Sequence, residues 1–160
     1  MEQLIAYYSK NGTTKSTVKK IKGVAKNNVD YVDLGKNTHI NLSLYKKIYV
    51  GTGIYAGTIP KPVKKFLSNS ELKNKEVAFF IHGLDSEKSH KSIIKNSIIE
   101  SNWIDLCDFY YLGGQLDMKE QNILVKQVLK VIAKKKNLDI NNMCNLKNKE
   151  IIDFVNFFKD

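Results

Sequence analysis

The sequence of 160 residues contains only two cysteines, Cys107 and Cys144, and they share no motif spacing. Free buried or partly exposed thiols in a reducing cytoplasm are expected in preference to a disulfide. No apolar run approaches a bilayer span: residues 77–81 are typical of the longest, whereas a spanning helix needs about 20. The first residues run straight into a strand pattern, without the basic stretch and hydrophobic stretch of a secretory signal, so no leader is expected. Long linkers, internal repeats and low-complexity segments are also lacking. His39 and His90 have no Cys, His or acidic partner at ligand spacing, and no metal site is expected. With 42% hydrophobic and 26% charged residues, the chain is globular and long enough for one domain over residues 1–160 with one sizeable core.

Acid is scarce relative to base. Twenty-six basic residues stand against sixteen acidic ones, a net charge of +10. A surface of this sign suits an anionic partner: an acidic protein, a membrane surface, an anionic substrate or a nucleic acid. The many Lys, Asn and Ile residues fit equally well with a lysine-rich composition from an AT-biased genome.

What is present centres on residues 2–18. Residues 3–8 are apolar or aromatic without alternation, which reads as a strand buried on both faces, as in a parallel sheet. Ser9, Lys10, Asn11, Gly12, Thr13 and Thr14 then form a small polar loop, and Val18, Ile21, Val24 and Ala25 recur at helical spacing. Strand, polar loop and helix in succession present unpaired backbone N–H groups at a helix N-terminus, where the dipole adds partial positive charge. The hydroxyls of Ser9, Thr13 and Thr14 add donors, and the fitting guest is a phosphate. The same residue types also serve as ordinary turn and N-cap residues. Neither the Walker pattern nor Gly-x-Gly-x-x-Gly is present.

Further strands are expected over residues 29–34, 48–51, 76–81 and 108–112. Pro60 and Pro62 sit where a helix carrying Val63, Phe66 and Leu67 would start. A helix is expected over residues 87–101, with Ile93, Ile94, Ile98 and Ile99 inward. The strongest helical pattern is 118–136, where Ile123, Leu124, Val128, Val131 and Ile132 make an apolar face. On it Lys119, Lys126, Lys130 and Lys134 lie on or near one face, beside Lys135 and Lys136. That stripe is either a solvated outer face or a cationic face for an anionic membrane. A last helix is expected over 151–158. Alternating strands and helices imply right-handed crossovers and a parallel sheet.

Tyr8-Ser9-Lys10-Asn11-Gly12-Thr13-Thr14 resembles the FMN-phosphate loop of flavodoxins, whose pattern is aromatic, Ser/Thr, x, Thr, Gly, x, Thr. It is similar also to the flavodoxin-like protoporphyrinogen oxidases of bacteria, which carry Asp-Gly-x-Thr there; Asn11 replaces that Asp, and its amide can still donate to phosphate. The resemblance implies an α/β flavodoxin-like fold: a doubly wound five-stranded parallel sheet in the order 2-1-3-4-5, with helices on both faces. That order is flavodoxin's own, with FMN at the switch between strands 1 and 3. It further implies that Thr52, Gly53, Ile54, Tyr55, Ala56 and Gly57 form the second flavin loop, Tyr55 standing where many flavodoxins place a Trp against the ring. Tyr55 could equally cover core. Flavodoxins commonly carry Gly directly after that aromatic, to let the peptide rotate; here the position is Ala56, with Gly57 next. His82, Gly83, Leu84 and Asp85 match the third loop, whose backbone would meet the pyrimidine edge, with the ring's second face either more open or covered by Leu84. His82 also reads as an ordinary strand-end residue.

The expected function is therefore electron transfer through non-covalently bound FMN, with no side chain acting as nucleophile or base. The expected exchange partner is a redox protein or a quinone, and the expected place is the cytoplasm, with the inner face of the membrane as the alternative. Gly113-Gly114-Gln115-Leu116-Asp117 before the basic helix resembles the protoporphyrinogen-oxidase-like branch; the shorter connection after strand 4 departs from it. A receiver domain is excluded, because the acidic pair, the phosphorylatable Asp and the Lys it requires are absent at the matching strand ends. Nucleic acid is not an expected partner, since the charges are scattered and no recognition motif accompanies them; a basic anion-binding domain without flavin is the last alternative.

Overall fold

The computed structural model describes residues 2–26, 28–37, 39–98, 101–116, 118, 123–136, 139 and 143–159. Five strands, β1 (Gln3–Tyr7), β2 (Val29–Asp33), β3 (Lys47–Gly53), β4 (Glu76–His82) and β5 (Asp108–Tyr111), form one parallel sheet in the order β2-β1-β3-β4-β5. The register puts Gln3 beside both Val29 and Lys47, and Tyr7 beside both Asp33 and Gly51. Strand β1 is thus paired along both edges, as its unbroken apolar run requires. Strands β3 and β4 run two and one residues further than the sequence pattern gives, to Gly53 and His82, which pair with each other.

Alternate side chains go to opposite faces. Leu4, Ala6, Ile48, Val50, Phe79 and Ile81 share one core with Val63 and Leu67 of α2 (Lys61–Leu67) and Ile94 of α3 (Glu87–Asn96). Ile5, Tyr7, Tyr49, Ala78 and Phe80 pack on the other face against Val18 and Ile21 of α1 (Thr13–Val24) and Ile151, Phe154 and Val155 of α5 (Asn148–Asn156). Helices therefore cover both faces, as expected. The proline pair marks the start of α2, since a first-turn residue has no intrahelical N–H bond to lose. Ser86 caps α3 by accepting from the Ser89 N–H at 3.2 Å, with Glu87 in the first turn against the dipole.

Three helices differ from expectation, α5 running over Asn148–Asn156 rather than 151–158 and α3 and α4 as follows. Helix α3 ends at Asn96, not near 101, and a 3-10 turn covers Ser101–Leu106. Ser97 donates its hydroxyl back to the Ile93 carbonyl at 2.6 Å, a bond that competes with helix continuation. Ile99 lies outside the described residues. Helix α4 (Ile123–Lys136) is described over the later part of the expected span; Lys119 and Asp117, and the side chains of Ile132 and Lys136, lie outside the described residues. Several of its apolar residues face away from the core: Ile123 and Leu124 are each 74% exposed, Val128 57% and Val131 56%, while Ala133 is buried. The reason is topological. Both faces of the sheet already carry helices, and the chain between β5 and α5 leaves through a narrow stem in which Gln115 bridges Cys144. Leu116 N–H donates to Met143 O at 2.9 Å and Asn145 N–H to Gly114 O at 2.8 Å across that stem.

Gly51 makes the tightest contact in the sheet. A Cβ there would lie 2.0 Å from the Phe80 ring, which is fully buried and packed against Phe154. Overpacking of this kind costs about 1–3 kcal/mol, so Gly51→Ala is expected to lower the urea midpoint accordingly. Adding Phe80→Leu should recover part of the loss; an undisturbed midpoint in Gly51→Ala would contradict the packing described.

Candidate functional site

Strand order reverses between β1 and β3, so the loops that leave their C-terminal ends open a crevice at that edge of the sheet, the place where open α/β sheets take ligands. The loop after β1 leaves hydrogen-bond donors unmatched. Gly12 sits at φ 82° and is the residue before α1, a left-handed conformation that glycine adopts without a Cβ penalty. The first helical bond is Ser16 N–H to Gly12 O at 2.8 Å, and the Lys15 N–H goes to Ser9 Oγ at 3.1 Å. Thr13 and Thr14 head the helix, where no carbonyl of the helix can accept their N–H groups. No acidic residue stands in this first turn to neutralise the dipole. Thr14 is 1% exposed, and its Oγ1 has no hydrogen-bond partner. A buried hydroxyl without a partner is costly; at the head of a helix, beside unmatched N–H groups, it fits a phosphate as the missing acceptor. Ser9 Oγ accepts from Lys15, which leaves its proton to donate.

The second loop is a hairpin tip. Tyr55 and Thr58 exchange both backbone bonds, at 3.0 and 3.1 Å. Ala56 (φ 49°) and Gly57 (φ 73°) between them both have positive φ, as a two-residue hairpin turn of this hand requires. Ala56 is thus held where alanine is strained by about 1 kcal/mol. Tyr55 leans back toward β1: its Oη accepts from the Lys10 N–H at 3.0 Å, and Lys10 Nζ stands 5.8 Å from its ring centroid. Thr52 is buried and donates its hydroxyl to the Gly53 carbonyl at 3.1 Å. The Ile54 side chain joins the core on the α2 and α3 face, and its N–H donates to His82 O at 2.9 Å.

The third loop is held by residues that no sequence motif marked. Tyr111 Oη donates to the Gly83 carbonyl at 3.0 Å, and Asn145 Nδ2 donates to Tyr111 Oη at 3.0 Å and to the Leu84 carbonyl at 3.3 Å. Asn145 Oδ1 takes the Gly114 N–H at 2.6 Å. Beneath the loop, His90 of α3 is 1% exposed and so close that a Cβ on Gly83 would lie 2.4 Å from its Nε2. Asp85 accepts from the Ser86 N–H and the Ser89 hydroxyl at the start of α3. Tyr111, Asn145 and His90 are far apart in sequence, and only the stem that returns to the sheet brings Asn145 here.

His82 is placed by its two ring nitrogens. Nδ1 lies 2.8 Å from the Gly113 carbonyl and Nε2 lies 3.0 Å from Thr17 Oγ1. A carbonyl can only accept, so Nδ1 carries the proton and Nε2 accepts from the Thr17 hydroxyl. The ring is 3% exposed. Burial pushes its pKa down to about 4, against a smaller opposing effect of the Gly113 bond. This side chain ties β4, α1 and the end of β5 together, in keeping with the strand-end reading, and both ring nitrogens are engaged within the fold. The backbone of residue 82 remains at the crevice edge.

Fold and switch point define a class, a doubly wound α/β protein whose first strand leads into an acid-free helix N-terminus with a partnerless buried hydroxyl. The chain belongs to the flavodoxin domain family, whose model matches residues 4–141. Oxidised Flavodoxin 2 from Bacillus cereus shares the fold at a TM-score of 0.51 and 20% identity, covering 86% of this chain and 100% of that one. A flavoprotein from Lactobacillus acidophilus, crystallised in complex with FMN, is 21% identical over 71% of this chain and 92% of its own, with a TM-score of 0.49. No curated protein sequence matches the chain.

The His82 clasp sets an acid limb on stability. In the unfolded chain the imidazole takes up a proton near pH 6.5, whereas in the folded chain it does so only near pH 4. Its contribution is fully present above pH 6.5 and is lost as pH falls toward 4, by up to about 3 kcal/mol. His90, held low mainly by burial, acts in the same direction. His82→Gln, whose amide can keep both bonds, should flatten most of this limb in urea midpoints taken from pH 7 to pH 4. Identical limbs in both proteins would show that His82 does not titrate as described.

Proposed function

We propose that the chain binds FMN non-covalently and transfers electrons through it. The observation that carries this reading is the partnerless, buried Thr14 hydroxyl at the acid-free N-terminus of α1, at the switch point of a flavodoxin-family sheet. Phosphate would be held by the Thr13 and Thr14 N–H groups, the Thr14 and Ser9 hydroxyls and the Asn11 amide, with Lys10 supplying charge. Residues 52–57 and 83–85 would flank the ring, which supplies the redox chemistry when bound. The protein's part is to bind, orient and desolvate. Gly53 and Gly83 keep two strand ends low, Tyr55 offers an aromatic face, and the bonds from Tyr111 and Asn145 fix the carbonyls of Gly83 and Leu84. Electrons would be exchanged with a redox protein or a quinone.

A finer reading, a protoporphyrinogen-oxidase-like dehydrogenase working at an anionic membrane, draws support from α4. Leu124, Val128 and Val131 are exposed there beside exposed Lys130, Lys134 and Lys135, and the helix contains no acidic residue. A cationic amphipathic face gains from apolar burial and from anionic lipid together. Among the described residues no helix is long and apolar enough to cross a membrane, so such binding would be peripheral.

The visible absorption spectrum of the protein titrated with FMN tests the main reading. Thr14→Val should weaken FMN binding about 10- to 100-fold, the loss of a bond to a charged group, while leaving the flavin-free protein equally or more stable. A spectrum without bound flavin at excess FMN would overturn the assignment. For the finer reading, co-sedimentation with phosphatidylglycerol vesicles should be strong in low salt and lost in Val128→Asp. Equal behaviour with phosphatidylcholine vesicles, or no oxidation of protoporphyrinogen with a menaquinone acceptor, would remove it.

A further inference from the structure

We propose that the Tyr55 hydroxyl is a built-in competitor for the phosphate cradle, so that the site selects ligands by requiring a phosphate to displace it. This rests on the phosphate reading of the loop after β1 and adds a specificity-determining residue to it. Tyr55 Oη accepts from the Lys10 N–H at 3.0 Å. That donor belongs to the loop that would grip a phosphate, and a phosphate oxygen and a phenol oxygen cannot both occupy the position in front of it. The ring is seated for this pose. A Cβ on Gly53 would lie 2.6 Å from both Cζ and Oη of Tyr55, so only glycine lets the ring lie against the end of β3. The Lys10 ammonium over the ring adds a cation–π contact.

The pose is also releasable. Ala56, Gly57 and Thr58 at the hairpin tip are exposed, while Ile54 and Ile59 on its flanks are anchored in or against the core. The tip can swing without uncovering the core. When a phosphate arrives, the Lys10 N–H exchanges a neutral phenol for a charged acceptor, which is the stronger bond. The Lys10 ammonium gains the same anion. Burial raises the phenol's pKa, so the competitor is neutral at physiological pH and gives way to a charged ligand. The displaced ring is then free to cover an aromatic group brought in with the phosphate. A ligand that has the ring but no phosphate meets the Tyr55 hydroxyl still in place.

Tyr55→Phe keeps the ring and deletes the competitor. Its affinity for FMN should rise about two- to tenfold, the range of one ordinary hydrogen bond. Its affinity for riboflavin, which has no phosphate, should change by less than about twofold. A merely structural role for the hydroxyl would move both ligands together. In parallel, inorganic phosphate is titrated into flavin-free wild-type protein, with the Lys10 and Asn11 amides and the Tyr55 ring followed by NMR. All three should shift together in wild type, and phosphate should bind Tyr55→Phe more tightly. If FMN binds wild type and Tyr55→Phe equally, or riboflavin gains as much as FMN, the competitor role falls while FMN binding stands. If no FMN binds at all, the flavin reading falls and the phosphate titration decides alone: a Tyr55 ring that stays put as phosphate saturates, or no phosphate binding, overturns the proposal.

Discussion

The backbone pairing of β1 to β2 along one edge and to β3 along the other leaves this strand no polar group to offer water. It is the constraint from which the rest of the architecture follows. A strand bonded on both edges and covered on both faces must be apolar throughout, as Leu4 to Tyr7 are. It must also lie at the centre, so the chain builds outward to β2 and then crosses over to β3. That reversal makes a crevice at the strand ends without any further design. The loop after β1 then has to turn sharply into α1, which Gly12 permits at φ 82°. The unmatched N–H groups of the new helix face the crevice because the helix packs back on the sheet.

Three kinds of bond position the loops that border this crevice. The first loop is shaped locally, by Ser9 accepting from Lys15 and by the left-handed Gly12. The second is a hairpin tip whose strained Ala56 and permissive Gly57 set the turn. The third depends on distant chain: His90 from below, Tyr111 from β5 and Asn145 from the stem beyond α4. The site thus grades from self-contained to tertiary across the crevice. His82, between the second and third loops, closes the arrangement by joining β4 to Thr17 of α1 and to the Gly113 carbonyl.

The excursion between Gln115 and Cys144 shows a limit of periodicity as a guide to burial. Ile123, Leu124, Val128 and Val131 form an apolar stripe by any helical count, yet the stripe faces outward. Periodicity reports that a face is apolar; what covers it depends on which surfaces of the sheet are still open. Here α1 and α5 take one face and α2 and α3 the other, so a fifth helix tethered by a narrow stem has little left to pack on. This helix also carries no acidic residue.

The sheet and the polar loop after β1 are legible in local sequence. The unbroken apolar run of β1, the alternation of strand and helix and the Ser9-to-Thr14 loop are local signals, and local chemistry is sufficient for them: buried backbone must pair, and a helix start leaves N–H groups unmatched. What the second and third loops touch depends on distant parts of the chain. That Tyr55 turns its hydroxyl to the Lys10 N–H follows from the bare strand end at Gly53. That His82 is buried and neutral follows from Thr17 and the Gly113 carbonyl meeting it from other elements. Those partners lie 31 to 65 residues away, and a residue type states what a side chain can bond without stating which distant group the fold will bring to it.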